Sequence, residues 1–246
     1  MSSTPEIRLQ GVSVEFPLFG SAGKELAETS EHDRRFRRNG KNVVFRALDG
    51  LDITIGSGER VGIWGRNGSG KTTLLRTLRG VYPPVEGELE VSGRVQSFLN
   101  MTFGMNDDAS GWENILLRGV VMGATPALMR ELSPRIAEFS ELGEFLSLPL
   151  RRYSAGMRMR LAFSIAMELP SDIILMDEWL AVGDGHFRDK AADRLQNAIA
   201  SSKILVVASH NINLLKNVCT RVIELNEGVV LSDRSIEDAR LRESKA

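Results

Sequence analysis

Apolar positions alternate with a strand's period near both ends of the chain and repeat with a helix's period through its middle. In residues 7–16, Ile7, Leu9, then Val12, Val14 and Phe16 are apolar and their neighbours polar, as a half-buried strand requires. The phase slips by one residue at Gly11, where a bulge is tolerated. Residues 20–42 break the pattern. They are polar and carry Arg34, Arg35, Arg37, Arg38 and Lys41, and they read as an inserted, partly helical loop. Alternation returns over 43–55, and 61–64 is a short apolar run suited to a buried strand. Leu74, Leu75 and Leu78 fall on one side of a helix over 71–79. Pro83, Pro84 and Gly87 mark a turn, and 88–95 reads as a hairpin arm.

Residues 112–147 read as mostly helical, with Ser133-Pro134 as a break and a fresh helix start. Leu116, Val120, Leu128, Met129, Ile136 and Leu142 are the expected core of that stretch. A further helix is expected over 154–167, then buried strands at 173–176 and 204–208 with a helix at 187–201 between them. Residues 222–225 and 229–231 suit a closing hairpin, and the charged tail 235–246 a helix. Strands alternating with helices predict an α/β fold with a mainly parallel sheet covered on both faces.

Composition narrows the function more than the fold. The 246 residues are 42% apolar and 26% charged, enough to bury a sizeable core in one large domain or two small ones. A disordered tail, a fibre and a disulfide-stapled miniprotein are excluded. The formal charge is −1, with no basic excess for wrapping nucleic acid, so no nucleic-acid partner is expected. Cys219 is the lone cysteine, so an internal disulfide and a Cys-rich zinc site are impossible. Residues 1–10 hold no apolar signal core, and no stretch approaches the roughly 18 apolar residues of a spanning helix. A soluble protein is expected, reaching any membrane through a partner.

Chemistry enters at Gly65-Arg66-Asn67-Gly68-Ser69-Gly70-Lys71-Thr72, which fits G-x-x-x-x-G-K-[ST] and is followed by Thr73. An apolar run precedes it and a helix follows. Glycines let backbone N–H groups curl around phosphate oxygens, and the helix N-terminus presents its positive dipole end to the anion. Lys71 is then expected to reach the terminal phosphates of ATP, and the Thr72 hydroxyl to ligate Mg²⁺. Ile173-Ile174-Leu175-Met176 runs into Asp177-Glu178. Beside a phosphate loop, Asp177 is expected to hold Mg²⁺ through its water shell, and Glu178 to orient or deprotonate the attacking water.

At Tyr153-Ser154-Ala155-Gly156-Met157 the chain resembles an ABC-type ATPase, with an altered LSGGQ signature at the start of a helix. Phosphate loop, signature, acidic strand, Ala181-Val182-Gly183-Asp184 and Ser209-His210 follow one another in the ABC order. The resemblance covers roughly residues 7–232. It implies a P-loop NTPase fold with an N-terminal antiparallel β subdomain and a helical subdomain near 100–165, all within one nucleotide-binding domain. It also implies a head-to-tail homodimer, in which Tyr153 to Met157 meet the ATP held by the second copy. Ala155 stands where the family has glycine, and Met157, where it has glutamine, supplies no amide contact. By the same resemblance His210 senses the γ-phosphate near Glu178, and Asp184 lies in the loop crossing the dimer interface. An aromatic residue stacks on adenine, Phe16 matching best and Phe19 second. The glutamine that usually contacts Mg²⁺ falls near Asn100 or Met101, while Gln96 belongs to the preceding strand.

The Tyr and Met flanking the signature, Met176-Asp177-Glu178, and the 98–115 stretch with Gly104-Met105 and Trp112-Glu113-Asn114 resemble the ATPases of bacterial O-antigen and capsule exporters. That branch implies a separate membrane-spanning permease, a lipid-linked glycan as cargo, and a place on the cytoplasmic face of the inner membrane. The chain leaves about 15 residues after its last expected strand, so no C-terminal carbohydrate-binding domain is expected. The basic run 34–41 suits anionic lipid headgroups or, more ordinarily, a solvated loop. A small-solute importer, a teichoic-acid-type exporter and an ATP-dependent switch outside transport are the alternative readings.

Overall fold

The computed structural model describes residues 4–20, 33–39, 42–178 and 185–238. These fall into two compact units, one drawn from 4–95, 175–178 and 203–238, the other from 96–174 and 185–202. In chain order the strands and helices are β1 (Glu6–Leu18), β2 (Phe36–Asn39), β3 (Asn42–Gly56), β4 (Arg60–Trp64), α1 (Lys71–Leu78), β5 (Glu86–Ser92) and β6 (Val95–Ser97). They continue as α2 (Gly111–Val121), α3 (Pro126–Ser140), α4 (Ala155–Glu168), β7 (Ile173–Asp177), α5 (Gly185–Ser201), β8 (Ile204–Ser209), α6 (Ile212–Val218), β9 (Arg221–Asn226) and β10 (Val229–Ser235). Among the described residues, one sheet has the order β2-β3-β1-β5 and the other β10-β9-β4-β8-β7-β6.

In the first unit, β4 lies parallel to both β8 and β9, and β10 closes antiparallel on β9. Every residue of β8 is buried, which is why 204–208 reads as an unbroken apolar run rather than an alternating one. Leu74, Leu75 and Leu78 of α1 are buried as the helical spacing requires. β1 pairs antiparallel with β3 on one side and β5 on the other. Its register shifts between Leu9 and Val12, placing the bulge at Gly11. Arg46 is buried among these strands and bonds Glu86, Glu15 and Asp49, each at 2.8 Å. Those carboxylates, Glu86 foremost, raise its pKa.

Two expectations for this unit change. The insert 20–42 contains a strand: β2 pairs with β3, Phe36 opposite Phe45 and Asn39 opposite Asn42. Residues 88–95 are not an arm folding back on its neighbour. β5 is an edge of the antiparallel sheet, and Val95 already begins a strand of the other sheet.

In the second unit, α2, α3 and α4 close around Ile115, Met129, Ile136, Leu142, Leu146, Leu161 and Ile165. Ser110 and Glu113 form a capping box at the start of α2, satisfying two orphan N–H groups reciprocally. The break expected at Ser133-Pro134 is absent, because α3 runs through Pro134. Its first turn instead begins at Pro126, capped by the Thr125 hydroxyl. A proline inside a helix costs about 3 kcal/mol in a lost bond and a clash. Burial of Met129, Leu132 and Ile136 on that helix offsets it. Val120 was expected in the core and is 43% exposed. Phe163 packs against Phe98, Phe139 and Phe187 in this unit's aromatic cluster. No helix among the described residues is long and apolar enough to cross a membrane.

Candidate active site

The site's groups lie within the first unit, at the carboxyl ends of buried strands. β4 ends at Trp64, the loop 65–70 curls back, and α1 starts at Lys71. A methyl group on Gly65 would lie 2.2 Å from the Leu225 carbonyl oxygen, so the first loop position has room for glycine alone. The Ser69 carbonyl accepts from the Gly228 N–H at 2.9 Å, which ties the loop to the β9–β10 turn. Lys71 Nζ donates to the carbonyls of Gly65 (2.8 Å) and Arg66 (2.9 Å), folding the ammonium back over its own loop. Burial lowers its pKa, opposed by the nearby carboxylates of Asp177 and Glu178.

β7 delivers the two acids. The Thr72 hydroxyl donates to Asp177 Oδ2 at 2.6 Å. These two oxygens, one on the first turn of α1 and one on a strand end, are the hard donors that Mg²⁺ selects. Glu178 takes the left-handed conformation, φ 62°, rare for a side chain with a Cβ and costing of order 1–3 kcal/mol. Its N–H donates to the Ala208 carbonyl at 2.8 Å. The turn aims its carboxylate at His210, whose Nδ1 lies 2.5 Å from Glu178 Oε1. Both side chains are more than half exposed, within reach of solvent water.

A cavity of about 600 Å³ opens over the loop, lined by Arg35, Gly65, Asn67, Gly68, His210 and Glu227 among others. Arg35 lies in the turn just before β2, facing the loop. Its Nη1 donates to the Gly68 carbonyl at 3.1 Å, Asp33 grips Nε and Nη2, and its carbon lies 5.1 Å from the Phe45 ring centroid. The bond to Asp33 raises the Arg35 pKa and lowers that of Asp33. Arg37 likewise pairs with Asp49, so the basic run of the insert is partly neutralised by its own unit. Phe16 is not in the cavity lining; its ring stands edge-on to Tyr82 at 4.9 Å. Phe19 is 81% exposed.

The remaining sequence-derived residues belong to the second unit and are described within it. Ser154 caps α4, its hydroxyl accepting from the Met157 N–H at 3.2 Å. Ala155 and Gly156 are exposed on the first turn. Tyr153 points the other way: its ring is buried, its hydroxyl donates to the Phe145 carbonyl at 2.7 Å, and burial raises its pKa to about 12. It anchors the start of the helix and offers no side chain to a ligand on the exposed face. Asn100 is exposed, accepting from the Thr102 hydroxyl at 3.5 Å. Gln96 on β6 is buried and its Nε2 has no partner among the described residues. Asp184, expected by the resemblance in an interface loop, lies outside the described residues, as do Trp179 and Lys41.

Thus Lys71, Thr72, Asp177, Glu178 and His210, taken from three separated stretches of sequence, come together around one loop. Sequence reasoning missed Arg35 and the backbone twist at Glu178.

The ABC transporter family matches residues 48–181 of the chain. The chain is similar to the O-antigen export system ATP-binding protein RfbE of Yersinia enterocolitica, 38% identical over 228 residues, 91% of this chain and 95% of that protein. It is 36% identical over 231 residues to the teichoic acids export ATP-binding protein TagH of Shouchella clausii, 92% of this chain and 61% of that one. Among solved structures, the ATP-binding cassette MJ0796 bound to ADP and Pi superposes with a TM-score of 0.66 at 21% identity, over 94% of this chain and 98% of that one. That likeness speaks for the fold.

Proposed function

The chain belongs to the ABC transporter family, and from that premise we propose that it is the ATP-hydrolysing subunit of an exporter moving lipid-linked polysaccharide, of O-antigen or capsule type, across the inner membrane. The observation that carries the enzymatic part is the pair of contacts beside the phosphate loop, Thr72 to Asp177 and Glu178 to His210. The cargo class is supported by the names of the relatives, which are export-system ATP-binding proteins for O-antigen and teichoic acids. Teichoic-acid-type polymer is the second reading, favoured by the likeness to the Shouchella clausii protein.

Loop N–H groups and Lys71 bind the ATP phosphates. Thr72 and Asp177 are the residues that would hold Mg²⁺, which when bound neutralises charge on the phosphate oxygens. Glu178 accepts a proton from the water that attacks the γ-phosphorus, and ADP and phosphate leave. His210 fixes the Glu178 carboxylate and can face the γ-phosphate with its other ring nitrogen. The exposed first turn of the helix capped by Ser154 is offered to the ATP of a second copy, so the working unit is a homodimer with two nucleotides. ATP then favours the closed pair over the open one, and this difference in binding is what drives a separate membrane-spanning permease. The subunit sits at the cytoplasmic face of the membrane through that partner.

Deleting the gene in its native host and measuring surface and internal glycan tests the reading. Glycan is expected to vanish from the surface while lipid-linked polymer accumulates inside. Unchanged pools, with no paralogue compensating, would overturn the export assignment and leave the ATPase.

A further inference from the structure

We propose that Arg35 is the platform on which the nucleotide's base stacks, a place that the family resemblance assigns to an aromatic ring. This rests on the nucleotide-binding reading above and deepens it. Three observations carry it. The Phe16 ring is engaged with Tyr82 and does not line the cavity. Arg35 does line it, together with the phosphate loop, and its Nη1 bonds the loop at Gly68. Its planar head is held on other sides by Asp33 and by the Phe45 ring, itself packed on Phe36 at 5.3 Å between centroids.

A guanidinium fixed in this way is preorganised, weakly hydrated and flat, the properties that let arginine stack on π-systems where lysine does not. Asp33 offsets its charge locally, so a phosphate gains less from it than from Lys71, whereas a purine face gains the stack. A stack reads the face of the ring and not its edge. Adenine and guanine nucleotides are therefore held alike at this position.

Calorimetric titration of the full chain with ATP, GTP and inorganic tripolyphosphate tests this in the wild type, Arg35→Ala, Arg35→Lys and Lys71→Ala. Arg35→Ala and Arg35→Lys are expected to weaken ATP and GTP about tenfold each and leave tripolyphosphate unchanged. In ATPase assays both raise KM and leave kcat within about twofold, since only uniform binding is lost. Full affinity in Arg35→Lys would show that charge alone acts and overturn the proposal. An equal loss of tripolyphosphate binding would also overturn it, placing Arg35 on the phosphates or the loop. The same holds for unchanged ATP affinity in Arg35→Ala. Should Arg35→Ala fail to fold by circular dichroism, Arg35→Lys decides alone. Lys71→Ala is expected to weaken all three ligands. If it weakens none, the phosphate-loop reading itself falls, and this inference with it.

Discussion

In the first unit, Thr72 holds Asp177 at 2.6 Å and His210 holds Glu178 at 2.5 Å, side chain to side chain, at the open ends of buried strands. In the second unit two buried polar side chains, Asn114 and Arg118, hold backbone instead. Asn114 donates to the carbonyls of Asn106, Ala109 and Ser110 and accepts from the Asn106 N–H. Arg118, buried with no carboxylate partner among the described residues and lowered in pKa to about 10 by that burial, donates to the Phe103 carbonyl. Side chains that satisfy one another at a rim can exchange partners when a ligand arrives. Side chains spent on carbonyls cannot, and they fix a loop in place. The first arrangement suits chemistry and the second a scaffold, so substitutions in the two units should fail in different ways.

The largest contrast is between Glu178→Gln and Asn114→Ala. Glu178→Gln removes the base and keeps the shape, so kcat should fall by about 10²–10⁴ with ATP affinity and thermal stability near wild type. Asn114→Ala should instead cost about 1–3 kcal/mol of stability for the orphaned backbone groups, with turnover per folded molecule changed far less. Single-turnover ATPase assays and thermal unfolding read the two effects separately. Wild-type turnover in Glu178→Gln, in preparations free of contaminating ATPase, would take Glu178 out of the catalytic role.

Two glycines sharpen the same contrast. A methyl group at Gly65 meets the Leu225 carbonyl, which cannot step aside without moving β9. At Gly119 it meets the Met129 side chain, sulfur and terminal methyl included, which can rotate away. Gly65→Ala should therefore abolish nucleotide binding or cost at least about 3 kcal/mol. Gly119→Ala, in a helix that favours alanine by about 1 kcal/mol, should cost no more than about 1–2 kcal/mol. Equal losses in urea unfolding would mean that both sites are governed by backbone.

What was legible in the sequence divides along the same line. The phosphate loop was readable because it needs fixed residue types at a fixed spacing, the acidic strand end because it follows an apolar run beside such a loop, and His210 only through its place in the family order; buried strands announce themselves as apolar runs. The passage of α3 through Pro134 was not, since local rules price the proline but not the burial of Met129 and Ile136 around it. Nor was the Arg35 wall. It exists through pairing of β2 with β3, through contacts with Asp33 and Phe45, and through the bond to Gly68 thirty-three positions on, which no local period encodes. Phe16 was chosen by position alone, and the ring's nearest aromatic partner, Tyr82, is sixty-six positions away in sequence.

The smallest expected effect lies at alkaline pH and separates the units by where it begins. Burial raises Cys219 in the first unit from 9.0 to about 12, and Tyr153 in the second from 10.0 to about 12. Both are therefore neutral in the fold at pH values where the unfolded chain ionises them. A folded pKa above the unfolded one gives stability that is complete below the unfolded pKa and fades as pH rises toward the folded one. For Cys219 that decline starts near pH 9, and for Tyr153 near pH 10. Cys219→Ala should flatten the fall in Tm from pH 9 upward, by about a few degrees, and Tyr153→Phe should flatten it only from pH 10. The Tyr153 variant also loses the bond to Phe145, so its curve should start lower and run flatter. A Tyr153→Phe curve parallel to wild type above pH 10 would mean that the phenol ionises in the fold as easily as in the open chain, and that the second unit's anchor is wetter than its burial implies.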